Sequence, residues 1–437
     1  MYFGPRVLSV SAQESAHPAA HPSHKGSGQA QYNHHYTSIH RALLDAVHGD
    51  AVIVTPGIYS PATTDEVFPL FVPAGVQLLG SGASDCKVVG DERLRTSNRP
   101  LDPHESLVLL GDESGISGFT LENSGGNGLS HVRGASFLVE RMVIQHNGQH
   151  GVLLYGPGQA TIKDNRFYDN GTRHYEPLPP PLPISCRQGH HIYFEGKSQC
   201  RNAALIVSNT LNKSFADGIA LSPSFEELAP VSMTVQVFDN DIEHAERAGI
   251  LIGGSFGTHE SRVSVDIRHN RIHNNTHTGI DATGALSLIP RTVKQVRLSV
   301  TIIDNDIAGS QTGISVVSGF GPAEQVHTES LIINNRMGDN VTGITATGGM
   351  GSKDRPSVNN TLRSVITNNT FVTDNSRSIV VQGAAFDDLG PAPEPCADGY
   401  AWLTDNHVVL SLHPGDLPSS AIQVDSGPRG NTVELNE

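Results

Sequence analysis

A unit of about 30 residues recurs along the chain, and this repeat limits the folds that the chain can adopt. Five copies of the unit are VFDNDIEHAERAGILI (237–252), IRHNRIHNNTHTGIDA (267–282), IIDNDIAGSQTGISV (302–316), IINNRMGDNVTGITA (332–346) and ITNNTFVTDNSRSIVV (366–381). The unit reads as a strand, an Asn, a short strand, a loop and a third strand, which usually opens with Gly-Ile. Recurrence at such a period predicts a solenoid of stacked coils.

The spacing within the unit shows which corner of the coil can vary. The shared asparagines are Asn165, Asn209, Asn240, Asn270, Asn305, Asn335, Asn369 and Asn406, and they are 44, 31, 30, 35, 30, 34 and 37 residues apart. By contrast, the gap from Asn to Gly is 9 residues for Asn240 and Asn270 and 8 for Asn305. We expect the Asn to tolerate left-handed backbone and to bond the amide of the next coil. The Gly should turn a corner where a side chain would clash.

These "N-x-I…N…GI" coils resemble the right-handed parallel β-helix proteins of the pectate-lyase-like group. The resemblance covers residues 37–425 and implies an all-β solenoid with an N-terminal capping helix over 37–48. Apolar residues from Ile39 to Val47 follow a helical period, with Thr37 or Ser38 as N-cap and Gly49 as the stop. Residues 1–36 are predicted to be a flexible arm and 426–437 a tail. A leucine-rich or propeller-like solenoid is the alternative architecture.

Composition excludes several classes of function. The 437 residues carry a net charge of −15 without a basic block, which argues against nucleic-acid binding. No apolar run approaches the roughly 18 residues of a spanning helix, so we expect no membrane partner. Four cysteines are too few for a disulfide scaffold, and nothing indicates a cofactor or a metal. The first residues lack a secretory signal, so we expect a cytoplasmic protein, or a secreted one if the chain is processed. Self-assembly is left open.

Strand alternation predicts which side chains face outward from the coils. Positions one and three after the Gly are apolar, so positions minus one, two and four should face out. Three consecutive coils, starting at 151, 191 and 218, place reactive side chains there: His150, Tyr155, His190, Tyr193, Glu195 and Asp217. The register of the second coil is the least certain, because a long insertion precedes it.

The insertion GTRHYEPLPPPLPISCRQG (171–189) is predicted to wall one side of this outward surface. Its proline-rich run should be extended and stiff, and long loops on a rigid scaffold often carry binding residues. We expect it to bring Arg173, Tyr175 and Arg187 near the His/Tyr surface.

These residue types favour proton abstraction beside a carboxylate. We predict His190 as the base, Tyr193 as the acid and Arg187 as the charge stabiliser. Asp217, one rung away, should hold the imidazole tautomer of His190. Glu195 and Asp217 would be roughly 16 Å apart along the strands, too far for the carboxyl pair of a glycoside hydrolase. The predicted function is therefore a polysaccharide lyase or epimerase acting on a uronate-like sugar, with His150, Tyr155 and Glu195 binding substrate.

Two alternatives use the same surface. Leu153 and Leu251 could bind an apolar biosynthetic intermediate, which would make the protein an intracellular isomerase or cyclase. A non-catalytic glycan-binding module is the other alternative. Asp102-Pro103-His104-Glu105 resembles the DPH(D/E) signature of mannuronan epimerases, but it precedes the repeats, so we place it away from the groove. Ala216-Asp217-Gly218-Ile219 resembles the NTDGI segment of polygalacturonases without their paired Asp-Asp.

Overall fold

The chain folds into coils of short parallel strands, and the predicted all-β parallel β-helix is confirmed. The structure is a computed structural model. It describes residues 5–12, 32–91, 102–171, 189–223, 229–255, 260–286, 293–351, 357–372, 377–382, 385–386, 407–412, 422–425 and 432–436. Within these ranges every strand pairs in parallel with the next, in four sheets that we name A to D.

The strands are given sheet by sheet, in spatial order. Sheet A contains Tyr32–Tyr36, Val7–Val10, Ala51–Val54, Gln77–Gly80, Ser114–Ser117, Ser136–Glu140, Gln159–Lys163, Ala203–Val207, Ser232–Phe238, Arg262–Arg268, Arg297–Ile303, His327–Ile333, Thr361–Thr367, His407–Leu412 and Thr432–Asn436. Sheet B contains Thr370–Val372, Arg336–Gly338, Asp306–Ala308, Arg271–His273, Asp241–Glu243, Thr210–Asn212, Arg166–Tyr168, Val143–Gln145, Thr120–Glu122, Cys86–Val89 and Gly57–Tyr59.

The Gly-Ile strands form the third sheet. Sheet C contains Ile422–Asp425, Arg377–Gln382, Thr342–Gly351, Thr312–Phe320, Thr278–Leu286, Ala248–Gly253, Ile219–Pro223, Ile192–Gly196, Val152–Tyr155, Asn127–His131, Ser106–Leu110 and Leu70–Val72, with Ala385–Phe386 beside Thr342–Gly351. Sheet D contains Val293–Lys294, Ala323–Glu324 and Ser357–Val358. Two short helices cover Ile39–Asp45 and Pro61–Thr64.

The core consists of aliphatic columns that run along the axis of the coils. On sheet A the strands alternate between buried and exposed side chains, so that one face is sealed inside the coil. Equivalent residues stack directly in register. One such buried column is Ile206, Val237, Ile267, Ile302, Ile332 and Ile366. The strict period of two in the sequence therefore specifies both the inside of the coil and the stacking register.

The predicted asparagine ladder is confirmed from Asn165 to Asn369. Each of these asparagines except the last donates its side-chain Nδ2 to the Oδ1 of the next, at 2.9–3.0 Å. The backbone N–H donates to the same oxygen. Asn406 lies outside the described residues.

The expectation that the ladder Asn itself adopts left-handed backbone is wrong. The residue before each ladder Asn has a positive φ instead: Asp164, Ser208, Asp239, His269, Asp304, Asn334 and Asn368, all between 54° and 57°. The preceding residue makes the turn, which leaves the Asn side chain free to point inward and bond along the axis. Four different residue types occupy this position, so no single residue type in the sequence identified it.

The Gly corner behaves as predicted. A Cβ on Gly249 would lie 2.5 Å from Ile272 Cγ2 and 2.8 Å from the carbonyl oxygen of Gly279. In the coil after the insertion His191 occupies this position. Its ring is buried and lies within hydrogen-bond distance of Asn170 Nδ2 and of the Asn212 carbonyl oxygen.

The N-terminal helix is shorter than predicted, and both chain ends contribute strands. The helix covers Ile39–Asp45 with Ser38 as N-cap, and its first N–H groups donate to the buried Glu66 carboxylate. It ends before Gly49 because Ala46 is already extended. Val7–Val10 and Tyr32–Tyr36 extend sheet A, which corrects the expectation of a flexible arm at these residues. Thr432–Asn436 likewise adds a strand within the predicted tail. No helix among the described residues is long and apolar enough to cross a membrane.

Candidate functional site

The predicted His/Tyr surface lies on the outer side of sheet C, and its register is as predicted. Val152 pairs with Ile192, and Ile192 pairs with Ile219. Strand alternation therefore continues across the insertion without a slip. The outward column at position two contains Ser130, Leu153, Tyr193, Ala220, Leu251 and Asp281.

Three aromatic rings stack where the second coil meets the first. The His150 and His190 ring centroids are 5.3 Å apart, and the Tyr193 ring lies 5.0 Å from His150 and 5.2 Å from His190. The three planes are within 17° of parallel. All three side chains are buried. Burial and the neighbouring His190 hold the pKa of His150 well below its ordinary value, so His150 is neutral near pH 7.

The side chains at position minus one form a second ladder of hydrogen bonds. The His150 N–H donates to Asn127 Oδ1 at 3.3 Å, and the His190 N–H donates to His150 Nδ1 at 3.2 Å. The Asp217 N–H then donates to His190 Nδ1 at 3.2 Å, and the Ala248 N–H to Asp217 Oδ1 at 2.9 Å. Each side chain thus accepts the backbone N–H of the following coil.

This ladder fixes the tautomer of both imidazoles. Because Nδ1 accepts a backbone N–H, the ring proton of each neutral histidine is on Nε2. In this tautomer His190 is a hydrogen-bond donor through Nε2. The predicted role of His190 as a base would require the proton to leave Nε2, whereas a role as acid uses the arrangement as it stands.

Asp217 is the carboxylate of this surface, and it is completely buried. Its Oδ2 lies 3.3 Å from His190 Nδ1 and 4.0 Å from the guanidinium of Arg247. Burial raises the pKa of Asp217, while the Arg247 charge and the Ala248 N–H act in the opposite direction. Such a carboxylate is a stronger base than an exposed one.

Arg247 and Asp281 extend this arrangement, and neither was predicted to have a role. Arg247 is 29% exposed and supplies a cation beside Asp217. Asp281 lies on the outward column, two strands beyond Asp217, which is roughly 10 Å along the axis. Burial, and to a smaller extent the Asp217 charge, raises the pKa of Asp281 to about 6. Asp281 could have been found from the sequence, because it is an acidic residue at a position that was predicted to face outward. Arg247 lies at position minus two, which is not one of the three positions that were predicted to face outward.

Glu195 is held in a buried ion pair. Lys197 Nζ lies 2.5 Å from Glu195 Oε1 and 4.0 Å from the ring centroid of Tyr155. Burial lowers the pKa of Lys197, but Glu195 and Tyr155 together raise it above its ordinary value. The predicted substrate-binding residues Glu195 and Tyr155 are thus joined through Lys197, which the sequence analysis missed.

Leu153 and Leu251 form an apolar cluster with Tyr193, Ala220 and Ala248. Tyr155 packs against this cluster. The aromatic and polar groups of the site are therefore bordered by an apolar surface on the same sheet. The cluster is separate from the core inside the coil.

The base of the insertion is adjacent to this site. A Cβ on Gly189 would lie 2.0 Å from Gly171 Cα and 2.2 Å from the carbonyl oxygen of Gln149, so the chain leaves and returns at the same corner. Gln149 precedes His150, which agrees with the predicted position of the loop. Arg173, Tyr175 and Arg187, predicted near the site, lie outside the described residues.

The Asp102-Pro103-His104-Glu105 segment lies closer to the site than predicted. The Ser106 hydroxyl donates to the Pro103 carbonyl oxygen at 2.9 Å, and the Ser130 hydroxyl donates to the same oxygen. Ser130 pairs with Leu153. The segment therefore crosses the outer side of sheet C one strand from the site. In the described part of the chain, no group of three His, Cys, Asp or Glu residues could hold a metal ion.

Comparison with known proteins supports the fold. The family described as "Right handed beta helix region" matches residues 106–290. Polygalacturonase from Erwinia carotovora is 11% identical, over 88% of this chain and 96% of its own, with a TM-score of 0.51. These two matches agree with the predicted right-handed parallel β-helix.

Two further solved structures resemble the chain more distantly. The Dettilon tailspike protein is 13% identical over 89% of this chain and 65% of its own, with a TM-score of 0.43. The mannuronan C-5 epimerase A-module of Azotobacter vinelandii is 12% identical over 92% and 94%, with a TM-score of 0.40. No curated protein matches the sequence.

Proposed function

We propose that the protein is a carbohydrate-active enzyme that abstracts a proton from a uronate-like sugar, as a lyase or an epimerase. The observation that carries this proposal is the burial of Asp217 between the His190 imidazole and the Arg247 guanidinium. These three groups supply a base, a proton donor and a cation within one small volume. Proton abstraction beside a carboxylate requires all three.

The geometry suggests a role for each group that differs from the first prediction for His190. Asp217 Oδ2 takes the proton from the carbon next to the sugar carboxylate. Arg247, which is partly exposed, binds that carboxylate and neutralises the charge that develops on it. His190 Nε2–H or the Tyr193 hydroxyl then donates a proton. Donation to the leaving oxygen completes β-elimination, whereas donation to the opposite face of the carbon completes epimerisation.

The test is an assay on polygalacturonate and alginate in heavy water. A lyase produces unsaturated uronate ends, which absorb in the ultraviolet, and an epimerase incorporates deuterium next to the carboxylate, which NMR detects. Hydrolysis would give new reducing ends without either signal. We expect one of the first two signals from the wild type. Its absence on a broad panel of uronates would reject the proposal.

Matched variants locate the activity. Asp217→Asn keeps the oxygen that accepts the Ala248 N–H but removes the base, so we expect activity to fall by about 100-fold or more. Asp241→Asn changes an exposed carboxylate on sheet B and should leave activity unchanged. Full activity in Asp217→Asn would remove Asp217 from the mechanism.

The apolar cluster favours a second candidate function. Leu153, Tyr193 and Leu251 offer an apolar wall beside the same polar groups, which suits an isomerase or cyclase acting on a small apolar intermediate. Thermal stabilisation by apolar metabolites, and not by uronates, would favour this candidate. Stabilisation by glycans without any turnover would instead favour a glycan-binding module.

A further inference from the structure

The outer face of sheet A carries a column of basic side chains far in sequence from the catalytic candidates. Arg262 pairs in register with Arg297, and Arg297 pairs with His327, on three consecutive strands. We call these three residues the basic column. Arg363 lies on the next strand, two residues after Thr361, which pairs with His327. All four side chains are exposed.

The arginines of this face differ from the other repeat arginines in their partners. Arg268, Arg271 and Arg336 each lie within 3.0 Å of a carboxylate oxygen. Among the residues that the structure describes, neither Arg262 nor Arg297 makes an ion pair. Stacked arginines on neighbouring strands, about 4.8 Å apart, repel each other and destabilise the sheet. A ligand that supplies negative charge would relieve this repulsion.

The surroundings of the basic column form a groove of about 610 Å³. Hydroxyl groups of Ser232, Thr234, Ser264 and Ser299 lie beside the cations. Two guanidinium groups on consecutive coils, with a hydroxyl beside each, fit a linear ligand that has anionic and hydroxyl groups at regular spacing.

Acidic residues lie on both sides of the basic column. Glu329 occupies the column next to the basic column, between Ser299 and Arg363. Glu260 lies at the other side, near Arg262 and Arg297. An anion is therefore attracted to a narrow band and repelled on both sides of it, which favours a single extended chain over a broad anionic surface.

We propose that this face of sheet A binds a linear anionic saccharide along the basic column. A saccharide with one carboxylate or sulfate per sugar combines the anions and hydroxyls that the groove can accept. A nucleic acid fits less well, because the described residues that line the groove include no Phe, Tyr or Trp on which bases could stack. The proposal does not depend on the catalytic proposal for sheet C.

The experiment measures binding of three fluorescent oligosaccharides by polarisation: an alginate fragment, a heparin fragment and neutral dextran. We expect the wild type to bind at least one polyanion, more weakly as salt rises, and not to bind dextran. Preference for alginate would identify carboxylate as the anion, and preference for heparin would identify sulfate. Equal binding of dextran, or no binding of either polyanion, would overturn the proposal.

Two charge-matched double variants locate the site. Arg262→Gln with Arg297→Gln should weaken polyanion binding by about tenfold or more. Arg271→Gln with Arg336→Gln removes the same charge from sheet B and should weaken it by less than about twofold. Equal losses would show a non-specific charge effect and reject the site. The Arg262→Gln, Arg297→Gln variant should keep the turnover of the wild type, because both side chains lie on sheet A and not on sheet C, which separates this result from the test of the catalytic proposal.

Discussion

Replacement of Asn240 by Ala tests how much the asparagine ladder contributes to stability. Asn240 Oδ1 accepts from the N–H and the Nδ2 of Asn209, at 3.0 and 2.9 Å. Its own Nδ2 donates to Ile206 O, Phe238 O and Asn270 Oδ1, at 2.9–3.0 Å. The Ala variant leaves two buried donors of Asn209 without their acceptor. At about 1–3 kcal/mol for each unsatisfied group, we expect a local loss of about 2–6 kcal/mol.

Native-state hydrogen exchange is the suitable assay for this variant. A repeat array can open locally, so exchange at one amide reports a loss confined to one coil more directly than a melt of the whole molecule does. The Asn209 amide reports directly, because it loses its acceptor. A loss of 2 kcal/mol, the lower end of the expected range, corresponds to exchange faster by about thirtyfold at this amide.

A second ladder variant and a control variant of the same region accompany this test. Asn240→Asp keeps Oδ1 but replaces the donor by an acceptor that faces Asn270 Oδ1, so it should also accelerate exchange. Thr210→Ala alters an exposed side chain next to Asn209 and should change local stability by less than about 0.5 kcal/mol. Unchanged exchange at the Asn209 backbone amide in Asn240→Ala would refute the reasoning.

Three other predictions concern stability. Burial lowers the pKa of His131 from 6.5 to about 4, so the unfolded chain binds this proton first as pH falls. The contribution of the neutral, buried His131 to the free energy of unfolding is therefore complete above pH 6.5. It decreases by about 2 kcal/mol when the pH falls to about 5, which thermal melts at the two pH values should show. Lys197→Met leaves the buried Glu195 carboxylate without its cation and should lower the free energy of unfolding by about 3–5 kcal/mol. Adding Glu195→Gln to this variant should restore most of the lost stability in the same melt. Gly249→Ala should cost about 1–3 kcal/mol, whereas Gly338→Ala, whose Cβ finds only ordinary contacts at 3.9 Å, should melt close to the wild type.

The fold could be predicted because the repeat encodes the register directly. The period of two fixes which residues face inward, and the Asn-to-Gly spacing fixes where the corners lie. Even after the insertion, the alternation of Ile192, Tyr193 and Phe194 was sufficient to align the coil. The strands at Val7–Val10 and Tyr32–Tyr36 were missed because they lack the repeat and one of them lies in a His-rich polar segment.

The candidate site could be predicted only in part, for a similar reason. Tyr193 lies on a strand, and His150, His190 and Asp217 each lie two residues before a strand, at a position that the alternation extended from the strand had already placed outward. Arg247 lies in a corner, whose conformation depends on the neighbouring coils. The tautomer of His190 depends on the N–H of the following coil, which no pattern within one repeat contains.

The stacking of coils also determines how the molecule should respond to mechanical force. Strand pairing and the asparagine ladder both join consecutive coils, so a pull on the C-terminal end loads the contacts of the last coil before those of any other. Ladder positions 30 and 31 residues apart imply that each detached coil releases a segment of about that length. At about 3.5 Å per residue this is an extension of roughly 100 Å for each event. Such a chain would dissipate work in many small steps of similar size.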